Sequence, residues 1–466
     1  MNVLKRWHIA LLILLPLLLT FAYLGSSGNF FLGALMCACL IVGCFCSVVF
    51  GKPEFGILSI LVAVAFTDRQ LEYMSYSFYL IYLAVAVCFI HYFAYHITKQ
   101  KFFWFFFILI CSYHILLLIV HPYTVPLLWT FSRLQQLAIF LLCILIKWDI
   151  KKIMNVVIPC LVYLLVYGFI EKLVANPTRI GGPTTHATNY AVILTFLWVI
   201  WFVYSYLNKK NLLILISVSF LTVFAVFLSG TRMGLLGLLA GFLGAIGSEL
   251  WIKNLNKSLF QKIFYTLFAV LFVGLLVIGI WLFLPENLVL IKSWNILLSG
   301  KLDNSSLGRI TCWATAIESF LKDPVWGIGP ENFIIAHTEF LSRLSLISEH
   351  SLKPLGHAHS TGLNVLAENG LVGFTVLSIV FIICWAQLIK FLLNHPKNPL
   401  GYALFFGGII IFFMPMIDMI PSPGWDAWYY GILASLGFHK LNSKSIDSDI
   451  PSPKREDDSS VKSISK

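Results

Sequence analysis

The sequence predicts an all-α integral membrane protein with about 12–14 transmembrane helices and one long loop with short helices on the outer face. Of its 466 residues, 59% are hydrophobic and only 11% are charged, and the mean hydropathy is +0.87. A soluble protein of this length needs far more polar surface, whereas helices that cross a bilayer need apolar runs of about 20 residues. The net charge of +11 lies mostly in short loops between such runs, so it indicates membrane orientation and no nucleic-acid partner.

Fourteen apolar runs are candidate transmembrane helices. Their approximate bounds are 8–25, 29–50, 54–67, 73–97, 102–121, 134–147, 153–175, 188–207, 211–229, 233–251, 263–284, 371–393, 400–419 and 424–437. Runs 54–67, 134–147 and 424–437 are short enough to be tilted or re-entrant, so we expect twelve to fourteen spans. The first run has no convincing cleavage site after it, and we expect it to remain as an uncleaved helix.

The lysines indicate which side of the membrane each loop faces. They concentrate in alternate loops, for example at Lys99 and Lys101, at Lys209 and Lys210, and in the C-terminal tail. Cytoplasmic loops carry this excess, so we expect both termini in the cytoplasm and the long polar segment on the outer face. If the membrane is the inner membrane of a Gram-negative bacterium, the outer face is the periplasm.

This topology divides the chain into four parts. We expect an N-terminal helix bundle at 1–284, a periplasmic loop at 285–370, C-terminal transmembrane helices at 371–437 and a disordered cytoplasmic tail at 438–466. Because the tail is rich in Ser, Asp and Lys, it has little apolar surface to bury. The cysteines lie almost entirely in apolar runs, which predicts neither a disulfide framework nor a metal site.

The arginines are distributed differently from the lysines. Those expected on the outer side are Arg69, Arg133, Arg179, Arg232, Arg309 and Arg343, and those expected inside are Arg6 and Arg455. The topology rule does not predict an outer excess of arginine, whereas bidentate binding of phosphate or carboxylate by a planar guanidinium does. We therefore expect the outer side to bind an anion. The alternative is that these arginines anchor helix ends at lipid headgroups.

Two outer motifs lie between apolar runs. NPTRIGGPTTHATNY surrounds Arg179 with glycines and prolines that stop a helix, and its backbone N–H groups either wrap an anion or form a plain turn. LSGTRMGLLG places Arg232 at a break in an apolar stretch. A charge near membrane depth costs about 2.5–3.5 kcal/mol, so Arg232 needs a partner anion or a water-filled cavity.

A third motif, SSLGRITCW, predicts a helix that Ser305 or Ser306 caps, with Arg309 in its first turn. The helix dipole disfavours a cation there unless an anion joins it. Its apolar residues recur at helical spacing and predict a face that packs on the membrane or the core; they are Ile310, Trp313, Ile317 and Phe320. The alternative is an interfacial helix with an incidental arginine.

The fourth motif, GHAHSTGLNVLAENGLVGF, contains His357 and His359. A neutral histidine at the membrane surface is suited to accept a proton from a hydroxyl near pH 7. Possible third metal ligands have no telling spacing, so we expect no metal. Ser360 with Thr361 predicts the start of a short helix that ends at Gly370, which sets His359 at the helix start.

Taken in order, TRIGGPTTHATNYA, LSGTRMGLL, SLGRITCW with DPVWGIGPENF, and HAHSTGLNVLAENGLVG resemble the bacterial O-antigen ligase and polymerase superfamily. The resemblance extends from about Arg179 to Gly373. It implies inverting glycosyl transfer on the outer face, without a metal, a nucleotide sugar or any other cofactor. The donor would be a polysaccharide on undecaprenyl diphosphate. The acceptor would be a sugar hydroxyl of the lipid A core in a ligase, or another carrier-linked repeat in a polymerase.

The resemblance also implies roles for residues in this sequence. Arg179, Arg232 and Arg309 would bind the diphosphate. The second histidine of the pair, His359, would be the catalytic base, and His357 and Ser360 would support it. The family often has asparagine directly after this histidine, where this chain has serine.

Three functions are compatible with these features. One dominant outer loop late in the chain favours a ligase over a repeat-unit polymerase, in which two comparable loops are common. A transporter of anionic lipids would need paired broken helices in two symmetric halves, and the sequence shows no such symmetry.

Overall fold

The computed structural model describes residues 52, 54–58, 60–61, 101–121, 127–175, 177–181, 187–253, 304–344, 353–417 and 423–438. Its helices are α1 Lys101–Val120, α2 Leu127–Leu145, α3 Ile150–Ala175, α4 Ala187–Leu207, α5 Leu212–Ser229, α6 Arg232–Lys253, α7 Asn304–Lys322, α8 Phe333–Arg343, α9 Thr361–Asn394, α10 Pro399–Ile417 and α11 Pro423–Phe438. The expected runs outside the described residues are 8–25, 29–50, 73–97, 263–284 and half of 54–67. Nearly all of the expected tail lies outside them too.

The described part of the chain is all helical, with turns and loops between the helices. Within it, five stretches are long and apolar enough to cross a membrane, namely Ile150–Val174, Ala187–Leu207, Leu212–Ser229, Met233–Ile252 and Thr361–Asn394. The predicted class, an all-α protein with many membrane spans, is therefore confirmed. The division into 1–284, 285–370, 371–437 and 438–466 stays a prediction.

One expected span is longer than the sequence suggested. The apolar run 134–147 predicted a short helix, but α2 begins earlier and covers Leu127–Leu145. The polar residues between Leu128 and Leu137 interrupted the apolar pattern. They do not interrupt the helix, because its backbone hydrogen bonds are internal whatever the side chains are.

Helix α4 lies at the centre of the transmembrane core. It packs against α6 and α10, while α2 packs against α11. Most of its residues are buried, which fits a helix that is apolar on every side. Aromatic rings join it to its neighbours: Trp198 stacks on Phe202 with centroids 4.6 Å apart, and Phe196 meets Trp428 edge-on at 6.1 Å.

We call residues 304–370, which the topology predicts on the outer face, the outer segment. Its described part has a small core of its own where α7, α8 and the start of α9 meet. That core consists of Cys312, Ala316, Phe333, Ala358 and Ala367. The predicted apolar stripe of α7 does not face it, because Ile310 is 44% and Ile317 is 51% exposed. The inward face of α7 has small and polar residues instead, and these allow α9 to approach closely.

Helix α9 is broken at Gly370, where φ is 60° and ψ is −161°. The break leaves two carbonyl groups and two N–H groups of α9 without partners in the helix. The turn after α7 supplies a hydrogen-bond partner for each of the four. Leu371 and Val372 donate to the carbonyls of Pro324 and Val325 at 2.9 and 3.2 Å. In return, the N–H groups of the turn reach α9: Ile328 donates to Ala367 at 2.9 Å and Gly329 to Glu368 at 3.0 Å.

This exchange needs glycine at the contact. Gly370 has dihedral angles that only glycine adopts readily, and a Cβ there would collide with the Val325 carbonyl. Gly327 has φ of 75°, and a Cβ there would collide with the backbone of Glu368. The two backbones can therefore meet only because both positions lack a side chain.

We expect Gly370→Ala to destabilise the outer segment by about 3 kcal/mol or more, since it adds backbone strain to the loss of buried hydrogen bonds. Gly308→Ala is the matched control. Gly308 lies inside α7 with nothing within 4 Å of an added Cβ, so that change should be neutral or stabilising. Thermal unfolding of the two purified variants in detergent checks this. Equal unfolding temperatures would contradict it.

Candidate functional site

The loop that contains Arg179 lies against the end of α5. The N–H of Ile180 donates to the carbonyl of Leu228 at 3.2 Å, and Ile180 is fully buried. The exposed Arg179 directs its Nε to the carbonyl of Ser229 at 2.8 Å. An arginine that is 50 residues away in sequence therefore binds one of the last carbonyls of this helix, where a cation is favoured.

The break between α5 and α6 brings three helix ends together. Gly230 ends α5 in the left-handed conformation, with φ of 62°. The Thr231 hydroxyl lies 3.4 Å from Nη2 of Arg179, 2.9 Å from the Ser229 hydroxyl and 3.3 Å from the Ala187 carbonyl at the start of α4. The next residue, Arg232, begins α6. Its side chain lies outside the described residues.

Helix α3 forms hydrogen bonds with the other side of the loop that contains Arg179. The N–H of Gly181 donates to the Glu171 carboxylate at 3.1 Å, and the ammonium of Lys172 donates to the Pro177 carbonyl at 2.8 Å. Glu171 was missed in the sequence, because it lies in the last apolar turns of a predicted span. Its carboxylate holds the loop that contains Arg179 against helix α3.

Arg309 lies on α7, one helical turn later than the sequence predicted. Because α7 begins at Asn304, Ser305 and Ser306 lie inside the helix and are not its caps. Arg309 is therefore in the second turn, where the unfavourable effect of the helix dipole on a cation has largely decayed. The arginine is half-buried, which leaves it at the edge of the outer segment.

Arg343 has a structural role in an ion pair. Its Nη2 lies 2.7 and 2.6 Å from the two carboxylate oxygens of Glu318, and Lys322 is 3.1 Å from the same carboxylate. The hydrogen bonds from Arg343 lower the pKa of Glu318, and Lys322 adds to this. Such exposed pairs stabilise a fold by about 0–1 kcal/mol. At least one of the arginines expected on the outer side, Arg343, therefore stabilises local packing through an ion pair.

The two histidines of the fourth motif lie side by side. Their ring centroids are 4.6 Å apart, with 46° between the ring planes, and both residues are half-buried. His359 has φ of 49°, in the left-handed region that costs a residue with a side chain about 1–3 kcal/mol. The predicted helix start follows directly: Ser360 is the N-cap of α9, and its side chain accepts from the N–H of Leu363 at 3.5 Å.

Helix α9 holds the histidine loop from one side. The N–H of Ala358, between the two histidines, donates to Oδ1 of Asn364 at 2.9 Å. Nδ2 of Asn364 donates to the carboxylate of Glu368 at 3.1 Å, and Glu368 is only 4% exposed. The spacing of Ser360, Asn364 and Glu368 by four residues along one helix face is a signal that sequence reasoning could have used.

Helix α8 holds the loop from the other side through His337, which no sequence pattern indicated. The N–H of Leu355 donates to Nδ1 of His337 at 3.0 Å. The proton of the neutral ring is therefore assigned to Nε2, which lies 3.3 Å from the Thr311 hydroxyl on α7. That hydroxyl donates to the carbonyl of Gly308 at 2.8 Å. Burial lowers the pKa of His337, and nearby His359 lowers it further.

These contacts form two groups. The first group places the side chain of Arg179 beside Thr231, the residue before Arg232. The other holds His357, His359 and Ser360 in one loop and connects that loop, through His337, to the turn of α7 that contains Arg309. In the described ranges, no group of three or more His, Cys, Asp or Glu residues could hold a metal ion.

The chain is similar to known proteins in the region of this candidate site. Residues 217–378 match a family model described as O-antigen ligase, and this range includes Arg232, Arg309 and both histidines of the loop. The chain is also similar to the exopolysaccharide production protein ExoQ of Rhizobium meliloti, strain 1021, with 24% identity over 117 residues. That match spans about a quarter of each protein, 25% of this chain and 27% of ExoQ.

The buried histidine makes stability depend on pH. A neutral His337 with a lowered pKa stabilises the fold fully above its ordinary pKa of 6.5, and this contribution is lost as the pH falls through the folded-state value. We therefore expect the unfolding temperature of the wild type to exceed that of His337→Asn at pH 7.5, and the difference to shrink below pH 6.5. Thermal unfolding from pH 8 to pH 5 checks this, and parallel curves would contradict it.

Proposed function

Because this chain belongs to the O-antigen ligase and polymerase superfamily, we propose that it is an inverting glycosyltransferase of the ligase type. The donor is a polysaccharide on undecaprenyl diphosphate, and the acceptor is a sugar hydroxyl of the lipid A core. The protein lies in the bacterial inner membrane with both termini in the cytoplasm, and the reaction occurs at its periplasmic face. The helices and the family make it a multi-pass membrane protein.

The observation that carries this proposal is the arrangement of the histidine loop. His359 lies beside His357 in a left-handed backbone conformation, within the region that matches the O-antigen ligase family. Hydrogen bonds from Leu355 and Ala358 anchor the loop at two points. A strained residue that its surroundings hold in place is typical of a functional site.

In this mechanism His359 is the general base. It accepts the proton of the acceptor hydroxyl as that oxygen forms a bond to the anomeric carbon of the donor. The bond from the anomeric carbon to the diphosphate oxygen breaks on the opposite face, so configuration is inverted in a single displacement. A base in this role accelerates such a step by about 10²–10⁴-fold, and histidine has its pKa in the required range.

The arginines stabilise the leaving group. As the glycosyl bond breaks, negative charge grows on the lipid diphosphate, and fixed cations lower the energy of that transition state. Arg179, Arg232 and Arg309 supply this charge. The position of Arg179 beside the residue before Arg232 supports a shared role for these two, and the N-terminus of α6 there also favours an anion.

The second candidate function is polymerisation of carrier-linked repeat units. The similarity to a protein named for exopolysaccharide production favours it. Deletion of the gene followed by electrophoresis of lipopolysaccharide separates the two. Loss of a ligase leaves core without polymer while carrier-linked polymer accumulates, whereas loss of a polymerase leaves core with a single repeat.

We expect His359→Ala to abolish glycosyl transfer while protein level and membrane insertion stay unchanged, because the variant lacks the base and keeps the helices. His395→Ala, in the loop between α9 and α10, is the control and should remain active. Complementation of the deletion strain, with lipopolysaccharide gels and immunoblots of membranes, provides the measurement. Normal smooth lipopolysaccharide in the His359→Ala strain would rule out this assignment.

We expect substitutions of Arg309 and Arg343 to have different effects on glycosyl transfer. Arg309→Ala should reduce transfer on the order of 10²–10³-fold, as expected when a group that stabilises transition-state charge is removed. Arg343→Ala should retain nearly full activity, because its partner is Glu318 on the loop surface. Initial rates with purified variants check this. Equal losses in both variants would indicate a structural effect and contradict the role of Arg309.

A further inference from the structure

We propose that His337 is a positioning residue that fixes the histidine loop relative to the Arg309 turn of α7. The inference rests on the proposed function, because it concerns the same base and the same arginine. It assigns a task to a buried residue that lies between the two and that the mechanism above does not use.

One ring nitrogen of His337 acts on the histidine loop. Nδ1 accepts the N–H of Leu355 at 3.0 Å, two residues before His357. The N–H of Ala358, which binds Asn364, is the second anchor of this loop. With backbone anchors on both sides of His357, the path of the chain into the left-handed His359 is fixed.

The other ring nitrogen acts on α7. Nε2 lies 3.3 Å from the hydroxyl of Thr311, and that hydroxyl donates to the carbonyl of Gly308 at 2.8 Å. The carbonyl of Gly308 belongs to the peptide bond that leads into Arg309. A continuous chain of hydrogen bonds therefore runs from the backbone beside the arginine to the backbone beside the histidine pair.

The neutral ring suits this task because it has one donor and one acceptor, and both are used. His337 is 1% exposed, between the ring of Phe333 and the thiol of Cys312. Protonation would place an N–H of the ring against the N–H of Leu355. An apolar side chain of similar size would leave that N–H and the Thr311 hydroxyl without this partner, which is unfavourable for buried polar groups.

Two titratable groups lie near His337. Burial raises the pKa of Cys312 to about 12, so the thiol stays neutral and does not draw a proton onto the ring. His359 on the loop carries positive charge only when it is itself protonated, and such a charge disfavours protonation of His337. Burial and a charge on His359 both lower the pKa of His337, so the ring keeps the neutral form that its two hydrogen bonds need.

Two substitutions at this position test the inference. His337→Asn keeps an acceptor near the Nδ1 position, and His337→Phe keeps the volume but removes both polar contacts. We expect His337→Phe to lower kcat by about 10²-fold, since a displacement of about 1 Å at a reacting group has that effect. KM for the lipid-linked donor should stay nearly unchanged, because ground-state binding is not affected. His337→Asn should recover most of kcat.

The measurement uses the full-length protein in proteoliposomes, with purified carrier-linked donor and core acceptor. His395→Phe is the matched histidine control and should keep wild-type kcat and KM. If His337→Phe fails to fold, Thr311→Val carries the same test, because it removes only the partner of Nε2. A thermal unfolding curve for each variant separates loss of structure from loss of rate.

Wild-type kcat in a folded His337→Phe, or equal losses of kcat in the Asn and Phe variants, would overturn the role of His337. His359→Ala is measured in parallel so that the two failures can be told apart. Transfer by His359→Ala would overturn the proposed function itself. An inactive His359→Ala together with a fully active His337→Phe would overturn only the positioning role.

Discussion

The outer segment depends on one exchange of backbone hydrogen bonds, at the break in α9. A helix that spans a membrane can be interrupted only where other groups satisfy the freed backbone atoms. Here the turn after α7 supplies two carbonyls and two N–H groups to residues on either side of Gly370. Each unsatisfied group would cost about 1–3 kcal/mol, so neither the turn nor the break is stable without the other.

This exchange determines where the candidate catalytic groups lie. It fixes the end of α7 to α9 at the point where α9 changes direction, and the histidine loop precedes the first turn of α9. The small core around Cys312 and the hydrogen bonds of His337 and Asn364 then position the loop itself. The proposed base, His359, thus lies in a loop that backbone contacts hold on one side and buried polar side chains hold on the other.

Hydropathy predicted the helices of the described part well, because an apolar run long enough to cross a bilayer has few other structures available. The predicted run 188–207 became α4, at Ala187–Leu207, and the predicted cap at Ser360 begins α9. Hydropathy could not show which face of α7 is buried. Near a membrane an apolar stripe can face lipid as well as protein, and the inward face of α7 is formed by small and polar residues such as Thr311.

The candidate site could be predicted only in part, for a similar reason. The distribution of arginines between the two sides of the membrane indicated an anion site. It could not distinguish Arg179, which binds the α5–α6 break, from Arg343, which forms an ion pair with Glu318. Tertiary contacts alone distinguish the two. His337 and Glu171 were missed because each accepts a hydrogen bond from a backbone N–H, and such a contact leaves no pattern in the sequence.

Metal-independent direct displacement is tested most directly by reconstitution of the purified protein with a carrier-linked glycan donor and lipid A-core acceptor in the presence of EDTA. The anomeric configuration of the new linkage is then determined by NMR. We expect transfer to continue under chelation and the new linkage to have the configuration opposite to that in the donor. A retained configuration, or transfer that occurs only when a divalent metal is added, would contradict direct displacement with His359 as the base.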